Sequence, residues 1–173
     1  MKLAYTMAPG RGDTDLVLER LANDLAGRGI RCCGTVQINS ARADAGPCDM
    51  DVRVLPQGAV LRISQNLGAF ARGCRLDPEA LETAVGLVEN ALSSGADLLI
   101  INKFGKHEAE GRGFRDVIVK AVDMDIPVLV GLNRLNQPAF ETFADGLAIP
   151  LPPEPAALMA WVQEVTAPAD LLV

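Results

Sequence analysis

Aromatic side chains are scarce. They make up 4% of the 173 residues, with one Trp, one Tyr and five Phe, so Val, Leu, Ile and Ala must fill the core. Positive charge is also short: 16 Lys and Arg stand against 22 Asp and Glu, a formal charge of -6. Neither a basic excess nor a basic stripe is present, so nucleic acid is not an expected partner. The uncharged apolar stretches stop well short of the roughly 18 residues that span a bilayer, and no membrane partner is expected. Residues 1–30 do not place a basic flank, an apolar segment and a cleavage site in order, so no secretory leader is read and a cytoplasmic location is expected. Histidine is limited to His107. The four cysteines, Cys32, Cys33, Cys48 and Cys74, form no C-x-x-C pair. Free thiols and no metal site follow.

What is present is a soluble-protein composition, 49% hydrophobic and 22% charged, in a length suited to one domain covering residues 1–173. Strand-like and helix-period runs alternate. Lys2 to Met7 is a short apolar run, closed by the turn cluster Ala8-Pro9-Gly10-Arg11-Gly12-Asp13. From Thr14, Leu18, Leu21, Ala22 and Leu25 recur at helical spacing, and Gly27 and Gly29 stop them. Ile30 to Ile38 reads as a second strand, completing a βαβ unit and favouring a parallel sheet. Asn39 to Asp49 is turn-rich and reads as a mobile loop. Asp51 to Leu55 and Ala59 to Ser64 flank Pro56-Gln57-Gly58 as a hairpin. Asp77-Pro78 opens a helix ending at Gly95. Asp97 to Ile101 and Ile126 to Val130 are apolar enough to be strands buried on both faces. A helix marked by Phe114, Val117, Ile118 and Ala121 lies between them. Pro138 to Ala144, Gly146 to Leu151 and Pro155 to Val165 read as helix, strand and helix. The fold class is α/β, a mainly parallel sheet with an inserted β-hairpin.

Ligands of such sheets bind beyond the carboxyl ends of the strands, which here means Met7 to Asp15, Asn102 to Gly113 and Gly131 to Pro138. The first is a Gly-rich turn entering a helix, the shape of a phosphate cradle. A dinucleotide fingerprint matches at Gly10 and Gly12 but has Asp15 for its third glycine, and Asn39 ends the second strand where an acid would grip ribose. A Walker A loop matches at Gly12 and Thr14 but has Met7 for its first glycine and Asp13 for its lysine. The cradle keeps its shape and loses its charge. As a plain structural element, Asp13 would cap the helix that starts at Thr14.

The run Asp97-Leu-Leu-Ile-Ile-Asn-Lys-Phe-Gly-Lys-His-Glu-Ala-Glu-Gly carries the second motif. A Walker B strand ends in an Asp for Mg²⁺, often followed by a Glu that orients water; Asn102 and Lys103 stand there instead. The N-K-x-D guanine-reading motif fails too, with Gly105 in place of its Asp. His107 reads as an exposed histidine or, alternatively, a proton-transfer group. Arg72 and Arg75, beside Cys74, are further candidate positive charges.

"GADLLIINKFGKHEAEGRG", "IPVLVGLN" and "CRLDPEALE" together resemble a bacterial domain-of-unknown-function family. That family is itself similar to the small P-loop nucleoside-triphosphatases of archaea, thermophilic bacteria and animals. The resemblance implies a three-layer P-loop-type fold with helices on both faces. In the true nucleoside-triphosphatases an acidic pair and a Gly-Lys-x-Glu-like stretch map to Asn102, Lys103, Gly105, Lys106 and Glu108. Mg²⁺ with a nucleotide is the cofactor the resemblance would bring.

The two departures are complementary, Asp13 in the first motif and Lys103 in the second. Neighbouring strands would set them face to face as a salt bridge filling the phosphate site. Alternatively Lys103, Lys106, Arg112 and Arg115 form a separate anion site, or the loop is a solvated surface. Three functions stay open. One is an anion- or nucleotide-type ligand-binding or regulatory protein without NTP hydrolysis, using Gly10, Arg11, Gly12, Asp13, Thr14, Asn102, Lys103, Lys106 and Arg112. Another is a nucleotide or phosphoryl hydrolase with Glu108, Glu110 or His107 in a rearranged site. The third is an interaction module. A homo-oligomer is compatible with each.

Overall fold

A computed structural model describes residues 2–40, 49–56, 58–65 and 76–167. Among these residues seven strands form one sheet: β1 (Leu3–Thr6), β2 (Cys32–Ser40), β3 (Asp49–Leu55), β4 (Val60–Arg62), β5 (Leu98–Ile101), β6 (Val128–Gly131) and β7 (Ala148–Leu151). Their order is β4-β3-β2-β5-β6-β1-β7. From β2 to β7 every pairing is parallel, whereas β3 pairs antiparallel with β2 and β4 with β3. The expected hairpin is therefore present and extends one edge. The loop expected at Asn39 to Asp49 lies largely outside the described residues, with β2 running on to Ser40.

Among the described residues there are six helices, the last following β7: α1 (Asp13–Gly27), α2 (Pro78–Ser93), α3 (Lys106–Ala109), α4 (Arg115–Asp123), α5 (Gln137–Ala144) and α6 (Pro155–Thr166). The apolar stripes dictate which face each covers. Leu18, Leu21, Ala22 and Leu25 of α1 join Leu158, Trp161 and Val162 of α6 over Ala4, Cys32, Leu98, Ile100 and Leu129. On the opposite face, α2, α4 and α5 pack over Leu3, Tyr5, Cys33, Leu99, Ile101, Val128 and Val130. The period of two along the strands divides these sets. All four residues of β5 are buried to completion, as a strand covered on both faces requires. The Asp77 carboxylate caps α2 by accepting from the Glu79 and Ala80 amides, and Gly95, at φ 93°, takes the left-handed turn after it.

One expectation fails here. β6 lies between β1 and β5, so the strands that carry the two motifs are not neighbours. The two most apolar strands, β5 and β6, take the centre, where both faces are covered. Among the described residues, no helix is long and apolar enough to cross a membrane.

Candidate functional site

In a sheet of this kind the crevice lies beyond the carboxyl ends of β5, β6 and β1. The β1–α1 turn forms its first wall. Gly12, at φ 83°, is the N-cap of α1, and Asp13 is the first helical residue; no side chain caps this end. The expected capping by Asp13 is thus not found, because the left-handed Gly12 brings the helix in one residue earlier. The Asp13 side chain instead folds back over Gly10, where an added Cβ would collide with its carboxylate. Thr14 Oγ1 accepts from the Ala8 amide at 2.9 Å, tying the turn together. Arg11 is exposed at the tip.

At the end of β5, Asn102 is buried. Its Nδ2 donates to Asp15 Oδ1 at 2.9 Å, and its Oδ1 accepts from the Gln37 amide at 2.9 Å. One side chain joins α1, β2 and β5. Lys103 points to solvent because Phe104, the next residue, is the buried anchor. Phe104 packs on Phe140 and Phe143 with ring centroids 5.2 and 5.5 Å apart. Asp13 and Lys103 form no ion pair in this structure, and the predicted salt bridge is replaced by the Asn102–Asp15 bond. The reason is the intervening β6.

The stretch after Phe104 is a folded turn, including the short α3 that sequence reading did not foresee. Glu108 is buried and accepts from the Gly105 amide at 2.8 Å and the Phe114 amide at 3.3 Å. His107 is buried as well, contrary to the exposed reading. Its Nε2 lies 2.9 Å from Glu82 Oε1, which also accepts from the Gly113 amide at 3.1 Å. These contacts seal the loop against α2. A cavity of about 720 Å³ remains there, lined by Glu82, His107, Arg112 and Asp116 among others. Lys106 and Arg112 both reach Glu110, at 3.7 and 2.6 Å, and the hydrogen bond from Arg112 leads in holding that carboxyl below its usual range. Arg115 lies 4.5 Å over the Phe143 ring. Of the four cations considered as an anion site, three are thus engaged, and Lys103 alone has no partner among the described residues.

Within Gly131 to Pro138, Arg134 belongs to none of the motifs and carries no sequence signal beyond its charge. Arg134 follows β6, is exposed and has no partner among the described residues. Arg11, Lys103 and Arg134 therefore follow the carboxyl ends of three adjacent strands.

Cys32 and Cys33 are free, buried thiols, and burial is the main cause pushing each up to about 12. Cys48, Cys74, Arg72 and Arg75 lie outside the described residues. Among the described residues no group of three or more His, Cys, Asp or Glu is arranged to hold a metal. The first turn of α1 carries the carboxylates of Asp13 and Asp15, and both ends of the Asn102 amide are bonded to neighbours.

Residues 3–161 match the family described as Protein of unknown function (DUF2478). The chain is 34% identical over 165 residues to the molybdenum import ATP-binding protein ModC 2 of Bradyrhizobium diazoefficiens, covering 95% of this chain and 18% of that protein. It spans under a fifth of that relative's length. A solution structure of a human cancer-related nucleoside triphosphatase superposes with a TM-score of 0.51 at 19% identity, over 95% of this chain and 84% of the other. That likeness shows the fold.

Proposed function

This chain belongs to the DUF2478 family of proteins of unknown function, and from its crevice we propose that it is an anion-binding or regulatory domain on a P-loop-type scaffold that does not hydrolyse nucleoside triphosphates. The observation that carries the reading is Asn102. Hydrolysis in this fold needs a carboxylate at the end of that strand to hold Mg²⁺. Asn102 is neutral, and both ends of its amide are bonded to Gln37 and Asp15. The carboxylate of Asp13 over Gly10 adds repulsion where a lysine would attract phosphate.

Anion binding is supported by Lys103, Arg134 and Arg11, exposed cations without ion-pair partners among the described residues. Gly10, Gly12 and Thr14 shape the wall beside them, and Lys106 and Arg112 are compensated by Glu110 at its rim. The regulatory part of the reading is supported by the bradyrhizobial relative. There a stretch like this chain accounts for 18% of a protein named for ATP binding and molybdenum import. Hydrolysis through Glu108 has less support, since both its oxygens serve backbone amides.

The test is a turnover assay with Mg²⁺ and ATP or GTP, run beside a thermal-shift screen of nucleotides, phosphate esters and oxyanions. The expected result is no turnover above the buffer blank and a shift with at least one anion. Turnover near one per second that is abolished in Asn102→Ala would overturn the reading.

A further inference from the structure

We infer that the edge between β5 and β6 takes a single tetrahedral dianion, the shape and charge shared by phosphate, sulfate, molybdate and tungstate, with Lys103 and Arg134 as its charged ligands. The inference rests on the anion-binding reading above and narrows it to a substrate class and two residues.

The backbone brings the two residues out of the sheet side by side. β5 and β6 pair in parallel up to Ile101 and Val130. Beyond the ladder, the Phe104 amide donates to the Gly131 carbonyl at 3.0 Å. The approach is close enough that a Cβ on Gly131 would collide with the Asn102 carbonyl, so glycine is required there. Lys103 sits just before this bond and Arg134 three residues after it. Asn133 then fixes a tight turn: its Oδ1 accepts from the Asn136 amide at 3.0 Å. Arg134 and Leu135 form the tip, and Leu135 is 85% exposed. Phe104 on one loop and this turn on the other hold both cations toward solvent, and neither has a partner among the described residues.

Size and charge follow from the neighbours. Two cations balance one dianion. A polyphosphate chain would have to extend across β6 to the β1–α1 turn, as it does in a phosphate cradle, and there it meets Asp13 and Asp15 in the first turn of α1. Those carboxylates oppose further negative charge, so the favoured ligand concentrates its charge in one group. The planar guanidinium of Arg134 suits two oxygens of such a group, and Lys103 supplies a point charge.

The full chain is titrated with sodium phosphate, sulfate, molybdate and tungstate at constant ionic strength, with chloride and nitrate as controls and ADP and ATP as separate arms. At about 100 times its dissociation constant, a binding dianion should raise Tm by roughly 5–10 °C. Which dianion acts distinguishes a phosphate or sulfate site from a molybdate or tungstate site. Lys103→Gln and Arg134→Gln should each weaken binding at least about tenfold by calorimetry, whereas Arg28→Gln at the opposite edge should leave it unchanged. Absence of any shift with the four dianions, or undiminished binding in the Lys103→Gln/Arg134→Gln variant, overturns the inference. If ADP or ATP binds and no inorganic dianion does, the narrowing fails and the anion-binding reading stands. If no anion binds at all, both fail.

Discussion

Asn102 and Asp15, 87 positions apart in sequence, are joined by a hydrogen bond of 2.9 Å from amide to carboxylate. The bond ties the end of β5 to the first turn of α1. A hydrogen bond to a charged acceptor contributes about 1.5–3 kcal/mol. Asn102→Asp removes the donor and sets a second carboxylate against Asp15. The expected loss is about 2–3 kcal/mol in urea unfolding, with most of it recovered when Asp15→Asn is added. A double-mutant cycle on Asp13 and Lys103 should give less than about 0.5 kcal/mol, the range of uncoupled residues. Equal coupling in the two cycles would contradict the geometry.

Glu108 offers a second check, because it separates a structural carboxylate from a catalytic one. Its two oxygens satisfy the Gly105 and Phe114 amides in a buried loop. Glu108→Ala should cost about 1–3 kcal/mol for each amide left without an acceptor, and Glu108→Gln, which keeps one acceptor oxygen, should cost clearly less. Glu110→Gln, on an exposed ion pair, should leave Tm within error. If Glu108→Ala melts like the unmodified chain, the loop is held by something other than these bonds.

Periodicity and punctuation made most of the fold legible. The stripe Leu81, Ala84, Val85, Val88 and Leu92 lies on α2 as spaced, because helix period and burial are the same constraint read twice. Asp77 caps where it stands, and Leu98 to Ile101 is a doubly covered strand. Strand order was not legible, since period alone says which face a residue takes and nothing about which strand lies beside it. That gap produced the false neighbour relation between Asp13 and Lys103. Asp13, Asn102 and Lys103 were visible as letters, and their positions beyond the carboxyl ends of β1 and β5 follow from chain direction. Partnering was not visible. His107 sits in a charged stretch, so its burial against Glu82 has no local signal, and the engagement of Arg112 and Arg115 depends on the turn through α3. Arg134 lay within the marked segment and carried a charge, so it was findable by asking which cations follow each strand.

The cysteines give the pH dependence its sign. Burial raises the folded-state pKa of Cys32 and Cys33 from 9.0 to about 12, with Cys33 and Asp97 adding to the effect at Cys32. An unfolded thiol ionises near 9 while the folded one stays protonated, so between pH 9 and 12 the unfolded state binds fewer protons. Stability is therefore full below pH 9 and declines above it, by about 1.4 kcal/mol per pH unit for each thiol. Native protein at pH 8 should resist iodoacetamide at both positions and label at both in urea, as read by mass spectrometry of the peptides. Rapid native labelling of Cys33 would contradict its burial.

On the proposed anion-binding reading, Asp13 opposes nucleotide phosphates at the β1–α1 turn, and its effect has a calculable size. The side chain is exposed, so the aqueous value of about 1 kcal/mol for unit charges at 4 Å applies rather than an interior one. Removing the carboxylate in Asp13→Ala should strengthen ADP or ATP binding about fivefold. Reversing it in Asp13→Lys doubles the change to about 2 kcal/mol, roughly thirtyfold. Both gains should shrink as salt rises, because solvent-exposed pairs are screened. Neither variant should acquire Mg²⁺-dependent turnover, since Asn102 still brings no charge to the end of β5. Calorimetric titration of ADP into the three proteins, paired with a phosphate-release assay, reads both quantities. Unchanged affinity in Asp13→Lys would mean that nucleotide phosphates do not approach the β1–α1 turn, and turnover in that variant would mean that the lysine position alone had limited hydrolysis.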